Sequence, residues 1–147
     1  MAVIQLVPIG QSGEILNVPG PLSDLISDVI DGTVTLYKTS GFVPPWTGYL
    51  ALLNNNVVGT CAFKTPPSAN AVEIAYFTFP DFEGQGIATA MARDLVRIAQ
   101  TTDSGIRIKA QTMPESNAST AILRKIGFSW VGTVIHPEDG EVWEWQL

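Results

Sequence analysis

The sequence is poor in the side chains that carry most nucleophilic and metal chemistry. It has one cysteine, Cys61, and one histidine, His136, in 147 residues. A lone thiol excludes an intrachain disulfide and a cysteine-based zinc cluster, and it agrees with a reducing compartment. Cationic residues are also scarce: eight Lys and Arg against fourteen Asp and Glu leave a formal charge of -6. That balance argues against nucleic acid as a partner, because a polyphosphate duplex is bound through a broad basic surface. No apolar run approaches the ~18 residues of a membrane span, and the start, Met1-Ala2-Val3-Ile4, carries no basic residue. No membrane association or export is expected, and the expected location is the cytoplasm.

What is present suits one ordinary domain, residues 1–147, with 46% hydrophobic residues to form its core. No repeat, low-complexity tract or linker interrupts an alternation of strands and helices. Val3 to Val7 reads as a first strand. Pro19 and Pro21 introduce Leu22, Leu25, Ile26, Val29 and Ile30, whose spacing predicts an amphipathic helix ending near Gly32, with Asp28 and Asp31 facing water. Two apolar runs, Tyr49 to Leu53 and Val57 to Phe63, flank Asn54-Asn55-Asn56 and predict a hairpin. Val72 to Phe79 predicts another strand. Between Thr39 and Gly48, Phe42 and Trp46 sit on a proline-stiffened loop that could wall a pocket or pack on the core.

From Gly86 the period becomes helical, with Ile87, Ala88, Met91, Ala92, Leu95 and Ile98 in one stripe. A strand at Ile106 to Ala110 follows, then a helix at Ser116 to Ile126 with Ala118, Ala121 and Ile122 inward, stopped by Gly127. Two closing strands, Phe128 to Ile135 and Val142 to Gln146, are joined through His136 to Gly140, whose Asp-Gly is a hairpin signal. The fold expected is a mixed α/β sandwich with a largely antiparallel sheet. In it Cys61 is a buried core thiol, His136 a turn residue, and Trp130, Trp143 and Trp145 belong to the core or to a homodimer surface.

Chemistry concentrates at Phe79 to Thr89, a strand-to-helix turn holding Gly84 and Gly86. Without Cβ atoms these residues turn tightly and present successive N–H groups, and the helix start adds partial positive charge, which together make a pyrophosphate cradle. Six of the eight cations, Arg93, Arg97, Arg107, Lys109, Arg124 and Lys125, lie in one stretch, so either an anion site or solvated helix surface is open. A dinucleotide-binding Rossmann turn fits less well. Thr89 replaces the third glycine, the turn follows hairpin-like strands, and Ile106 to Ala110 ends in Gln111-Thr112 without an acid.

The same turn resembles the GNAT acetyltransferase signature Q/R-x-x-G-x-G/A, filled as Glu83-Gly84-Gln85-Gly86-Ile87-Ala88 with a carboxylate at the first position. Pro114-Glu115-Ser116-Asn117 through Gly127-Phe128 is similar to the family's second block, P-E-N-x-x-S-x-x-x-L-x-K-x-G-F, in the form of the ribosomal-protein N-terminal acetyltransferase branch. The resemblance covers Val72 to Phe128 well. It implies a GNAT-like sheet whose fourth and fifth strands splay so that the pantetheine arm of acetyl-CoA inserts between them. Backbone groups of Phe77 and Phe79 would bind the arm, the turn from Glu83 through Gln85, Ile87, Ala88 and Thr89 to Ala90 would bind the pyrophosphate, and Ser116 or Asn117 would contact the pantetheine. Leu123 stands where many relatives carry a tyrosine that protonates the thiolate.

The activity implied is transfer of an acetyl group from acetyl-CoA, without a metal, to a primary amine by direct attack in a ternary complex. The acceptor would be a peptide N-terminus or a small molecule. Glu73, an ionisable group inside the strand at the thioester site, is the candidate base, with a solvent-facing residue as the alternative. A backbone N–H near Phe77 would polarise the carbonyl, and Ser119 or water would return the proton; an ordinary helix serine is the other reading. Tyr37 and Tyr76 could reach the acceptor. A catalytically silent acyl-CoA-binding sensor is the alternative function, since it needs the same cradle.

Overall fold

The computed structural model describes residues 3–18 and 20–147; Met1 and Ala2, and the expected helix-introducing Pro19, lie outside the described residues. Seven strands, β1 (Gln5–Pro8), β2 (Gly48–Leu53), β3 (Asn56–Phe63), β4 (Ala71–Thr78), β5 (Arg107–Thr112), β6 (Ser129–His136) and β7 (Gly140–Gln146), form one sheet. Its order is β1-β2-β3-β4-β5-β7-β6. Every pairing is antiparallel except β4 with β5, as expected for chain neighbours joined by tight turns and one helical crossover. The crossover is α2 (Ile87–Thr102), while α1 (Asp24–Ser40) joins β1 to β2 and α3 (Ala118–Lys125) joins β5 to β6.

Local chemistry accounts for most of the boundaries. The β2–β3 hairpin turns through Asn54 and Asn55 at φ 50° and 67°, the left-handed region that asparagine tolerates. Ser23 caps α1 by accepting the Ile26 N–H at 3.2 Å. α1 does not stop near Gly32 as its spacing predicts. It continues to Ser40 and closes at Gly41, whose N–H donates to the Tyr37 carbonyl. A mid-helix glycine costs only about 1 kcal/mol, and burial of Tyr37 against Val7, Ile9 and Leu50 offsets it. The Tyr37 hydroxyl donates to the Ile9 carbonyl at 2.8 Å and accepts the Gly48 N–H at 2.9 Å, so it ties α1 to both flanking strands and is a structural residue.

The main core lies between β2–β5, β7 and the apolar stripe of α2, where Ile87, Met91, Ala92, Leu95 and Ala99 are buried. Each large side chain removed from water there contributes roughly 1.5–3 kcal/mol. Gly59 sits beneath α2 because a Cβ would stand 2.7 Å from the Phe77 carbonyl and 3.1 Å from Met91. Cys61 belongs to this core, and burial pushes its thiol far above the usual range, as the reading of a packing residue requires. In α3 the buried positions are Thr120 and Leu123, while Ala118 and Ala121 face outward. The inward stripe is thus shifted from the one expected, because Asn117 caps the helix and fixes its rotation. Trp145 is fully buried beneath the Arg124 guanidinium, and Trp130 is half-exposed on edge strand β6. None of the described helices is long and apolar enough to cross a membrane.

Candidate active site

The site is a break in the sheet. β4 and β5 are paired only from Ala71↔Arg107 to Ile74↔Ala110. Beyond that point β4 continues against β3 through Thr78, and β5 continues against β7 through Thr112. The central strands therefore part after Ile74 and leave backbone groups facing a gap, which is costly unless something fills it.

Strand alternation decides which groups these are. The Phe79 N–H donates to the Val58 carbonyl and the Glu73 carbonyl accepts the Lys64 N–H, both at 2.9 Å, so odd-numbered residues of β4 direct their backbone toward β3. Phe77, opposite Thr60, follows the same rule. The expectation that Phe77 and Phe79 offer backbone hydrogen bonds to the gap is therefore corrected: Tyr76 and Thr78 do. The one-residue offset is invisible in a sequence read without register. The Thr78 hydroxyl oxygen is moreover buried without a hydrogen-bond partner, a state that costs free energy until a ligand atom meets it.

At the end of β4 a short 3₁₀ turn, Pro80–Phe82, leads into the glycines. Gly84 and Gly86 have φ of 78° and 77°, and a Cβ at either would meet nothing within 4 Å. They are required for the left-handed backbone, which a β-branched residue resists, and the space beside them is open. Gly86 caps α2 without any side-chain hydrogen bond, so the N–H groups of Ile87, Ala88 and Thr89 have no helical acceptor. Ala90 is corrected out of the cradle, since its N–H already donates to the Gly86 carbonyl at 3.1 Å. Of the six clustered cations, Arg97 pairs with Asp94 and Lys109 with Glu144. Arg107 donates to the Ala69 carbonyl, Arg124 covers Trp145, and none of the six lines the groove. The groups here able to meet an anion are the backbone N–H groups at the start of α2, with the helix dipole behind them.

Two cavities open on the gap. One, about 470 Å³, runs along Phe77, Thr78, Glu83, Gly84, Gly86 and the start of α2 to the face of α3. The other, about 290 Å³, lies where β4 and β5 part, between Lys64, Ala75, Gln111, Met113 and the β6–β7 turn at Asp139. Tyr76 and Ser119 line both. Burial raises the Tyr76 phenol to about 12, so it stays protonated at neutral pH, and its hydroxyl reaches only the Ser119 carbonyl, at 3.4 Å. From the sequence alone Tyr76 is expected only to be able to reach the acceptor. Alternation along β4 would have pointed it away from Glu73, but no sequence signal places it at the junction.

The remaining expected residues divide. Glu73 lies on the sheet face opposite Tyr76, mostly buried, ion-paired with Lys64. Its Oε2 meets that ammonium without an aligned hydrogen-bond donor. Asn117 lines the smaller cavity, but its side chain accepts the Thr120 N–H at 3.1 Å and donates to Glu115, so it serves first as the α3 cap. Ser116 and Gln85 are exposed and line neither cavity. Leu123 is fully buried. Phe42 lines a separate, mostly apolar cavity of about 560 Å³ beside β1, whereas Trp46 packs edge-on to Phe63 in the core. Among the described residues no group of acidic, histidine or cysteine side chains is arranged to hold a metal.

Comparison with known proteins agrees with this geometry. The sequence profile of the Acetyltransferase (GNAT) domain matches residues 27–129. No curated protein matches the chain. Among solved structures it is similar to apo RimL, a ribosomal-protein alpha-N-acetyltransferase, with a TM-score of 0.70, 21% identity, and coverage of 98% of this chain and 92% of that one. It is also similar to the microcin self-immunity acetyltransferase MccE in complex with acetyl-CoA and AMP, at TM-score 0.64, 20% identity, and 83% and 71% coverage. The aminoglycoside acetyltransferase AAC(6')-Ib in complex with coenzyme A gives TM-score 0.65, 21% identity, and 83% and 75% coverage. These structures share the fold, and the domain match spans most of the chain. On that match the chain belongs to the GNAT acetyltransferase family.

Proposed function

We propose that this acetyltransferase moves the acetyl group of acetyl-CoA onto a primary amine, a peptide N-terminus or a small-molecule amine, by direct attack within a ternary complex. One observation carries the reading: two cavities meet at the parted strands and share Tyr76 and Ser119, giving donor and acceptor separate entries to one point. The neighbours named above act on ribosomal-protein N-termini and aminoglycosides, which keeps both acceptor classes in view.

The donor supplies an activated carbonyl on a thioester. The chain's residues do the rest. N–H groups of Ile87, Ala88 and Thr89 hold the pyrophosphate, and backbone groups of Tyr76 and Thr78, with the Thr78 hydroxyl, hold the arm. Glu73 takes the amine proton through water, and Ser119 with the protonated Tyr76 phenol faces the departing sulfur. Little base strength is needed for an N-terminus. An α-amine with pKa near 7.7–8.0 costs about 1 kcal/mol to neutralise at pH 7, against about 4.6 for a lysine-like amine at ~10.4.

Calorimetric titration with acetyl-CoA, with NAD as control, followed by an amine screen with free-thiol detection, tests the reading. Saturable binding of acetyl-CoA alone and amine-dependent thiol release are expected. Glu73→Gln lowers kcat by roughly 10–100-fold while leaving acetyl-CoA affinity within about twofold; unchanged turnover removes Glu73 from the mechanism. A silent acyl-CoA-binding module is the second reading, favoured by the fully buried Leu123 at the place of the usual tyrosine. Binding without turnover of any amine would select it.

A further inference from the structure

A lysine, Lys64, is among the residues that line the smaller cavity. Lys64 follows β3 directly, its backbone N–H fixed to the Glu73 carbonyl at 2.9 Å, and its side chain lines the cavity with Ala75, Tyr76 and Gln111. The ammonium is ion-paired with the Glu73 carboxylate, and the lysine side chain is 42% exposed, so it is tethered at its root and its tip can swing once that pair opens. The other three lysines are placed otherwise. Lys38 is at the end of α1, Lys109 pairs with Glu144, and Lys125 is in the last turn of α3; none of them lines either cavity at the gap.

We infer that Lys64 is an internal acetyl acceptor, modified by the chain's own transfer chemistry when no external amine occupies the cavity. The inference rests on the acetyltransferase reading above. A flexible tether holds its reactive end at an effective concentration on the order of millimolar, so Lys64 competes with dilute external amines without being optimally aligned. The step balances without a further reactant. The ammonium gives one proton to solvent by way of Glu73, and the neutral Nζ attacks the thioester carbonyl. The Nζ–C bond forms, the C–S bond breaks with its electron pair on sulfur, and the second nitrogen proton ends on that sulfur. The products are acetyl-lysine, the free thiol of coenzyme A and a proton. The acetylated side chain carries no charge, so the ion pair with Glu73 is lost.

The test is incubation of the whole chain with acetyl-CoA and no acceptor, with peptide mapping of all four lysines over time. Lys64 is expected to gain one acetyl group at least about tenfold faster than Lys38, Lys109 or Lys125. The rate should be independent of protein concentration and should be suppressed by excess free coenzyme A or by an accepted external amine. In Lys64→Arg, which keeps the ion pair, the fast phase should vanish while acetyl-CoA binding by calorimetry is retained. Acetylation of Lys64 no faster than the other lysines, in a chain that turns over an external amine, overturns this inference alone. Absence of both acetyl-CoA binding and amine turnover overturns it together with the acetyltransferase reading.

Discussion

The carboxy-terminal part of the sheet, from β4 to α3, and the amino-terminal part, from β1 to β3 with α1, are built on different principles. The carboxy-terminal side is held open by backbone. Two glycines at positive φ, an uncapped helix start and a strand pair that ends after Ile74 leave N–H groups and one hydroxyl without partners. The amino-terminal side is closed by side chains that join its elements, as Tyr37 does between Ile9 and Gly48 and Thr60 of β3 does by donating to the Tyr49 carbonyl of β2. Among the described residues the buried side-chain atoms without a hydrogen-bond partner are both on β4, which points to a ligand there, since unsatisfied buried groups persist where a partner comes from outside.

Three substitutions break or sharpen this contrast. Gly86→Val forces a β-branched residue into the left-handed region and re-aims the N–H groups that follow. Acetyl-CoA affinity should fall by about 100-fold, equivalent to ~2–3 kcal/mol of lost charge-assisted hydrogen bonding. Calorimetry reads the affinity, and an unchanged Kd would mean that the turn does not hold the pyrophosphate.

Tyr37→Phe should do the reverse. It strands a buried carbonyl and a buried N–H and should lower unfolding stability by about 2–4 kcal/mol, seen as a shifted denaturant midpoint, with no change in acetyl-CoA affinity. A matching loss of affinity would show that the two regions are coupled.

Thr78→Val has the smallest effect and the most diagnostic sign. Removing an unpartnered buried hydroxyl should stabilise the free chain by about 1 kcal/mol and weaken acetyl-CoA by roughly 5–10-fold, the value of one hydrogen bond. Destabilisation of the free chain would show that the hydroxyl is already satisfied.

The same contrast explains what was legible in advance. The glycine turn, the asparagine hairpin and the Gly127 stop are written in residues whose conformational preferences act over a few positions, and each stands in the structure where the sequence predicts it. The helix α1 overran its predicted end because Tyr37 finds two backbone partners far away in sequence, which no local propensity encodes. The second half of the site was misread by one residue for a related reason. Whether Phe77 or Thr78 faces the gap depends on register with β3, and a slip of one residue reverses every backbone and side-chain direction in a strand. Tyr76 was underrated because its importance comes from lying where two cavities meet.

By itself the sequence determined the fold class, the family and the glycine turn that opens α2, because these depend on periodicity, on glycine's freedom at positive φ and on two blocks in fixed order. Only the tertiary structure decided which β4 groups face the gap, that Asn117 serves first as a helix cap, that the Ala90 N–H is already bonded within α2 and that Lys64 lines a cavity at the parted strands. Those outcomes depend on strand register and on contacts between residues distant along the chain, which are fixed only when the sheet forms and the strands part.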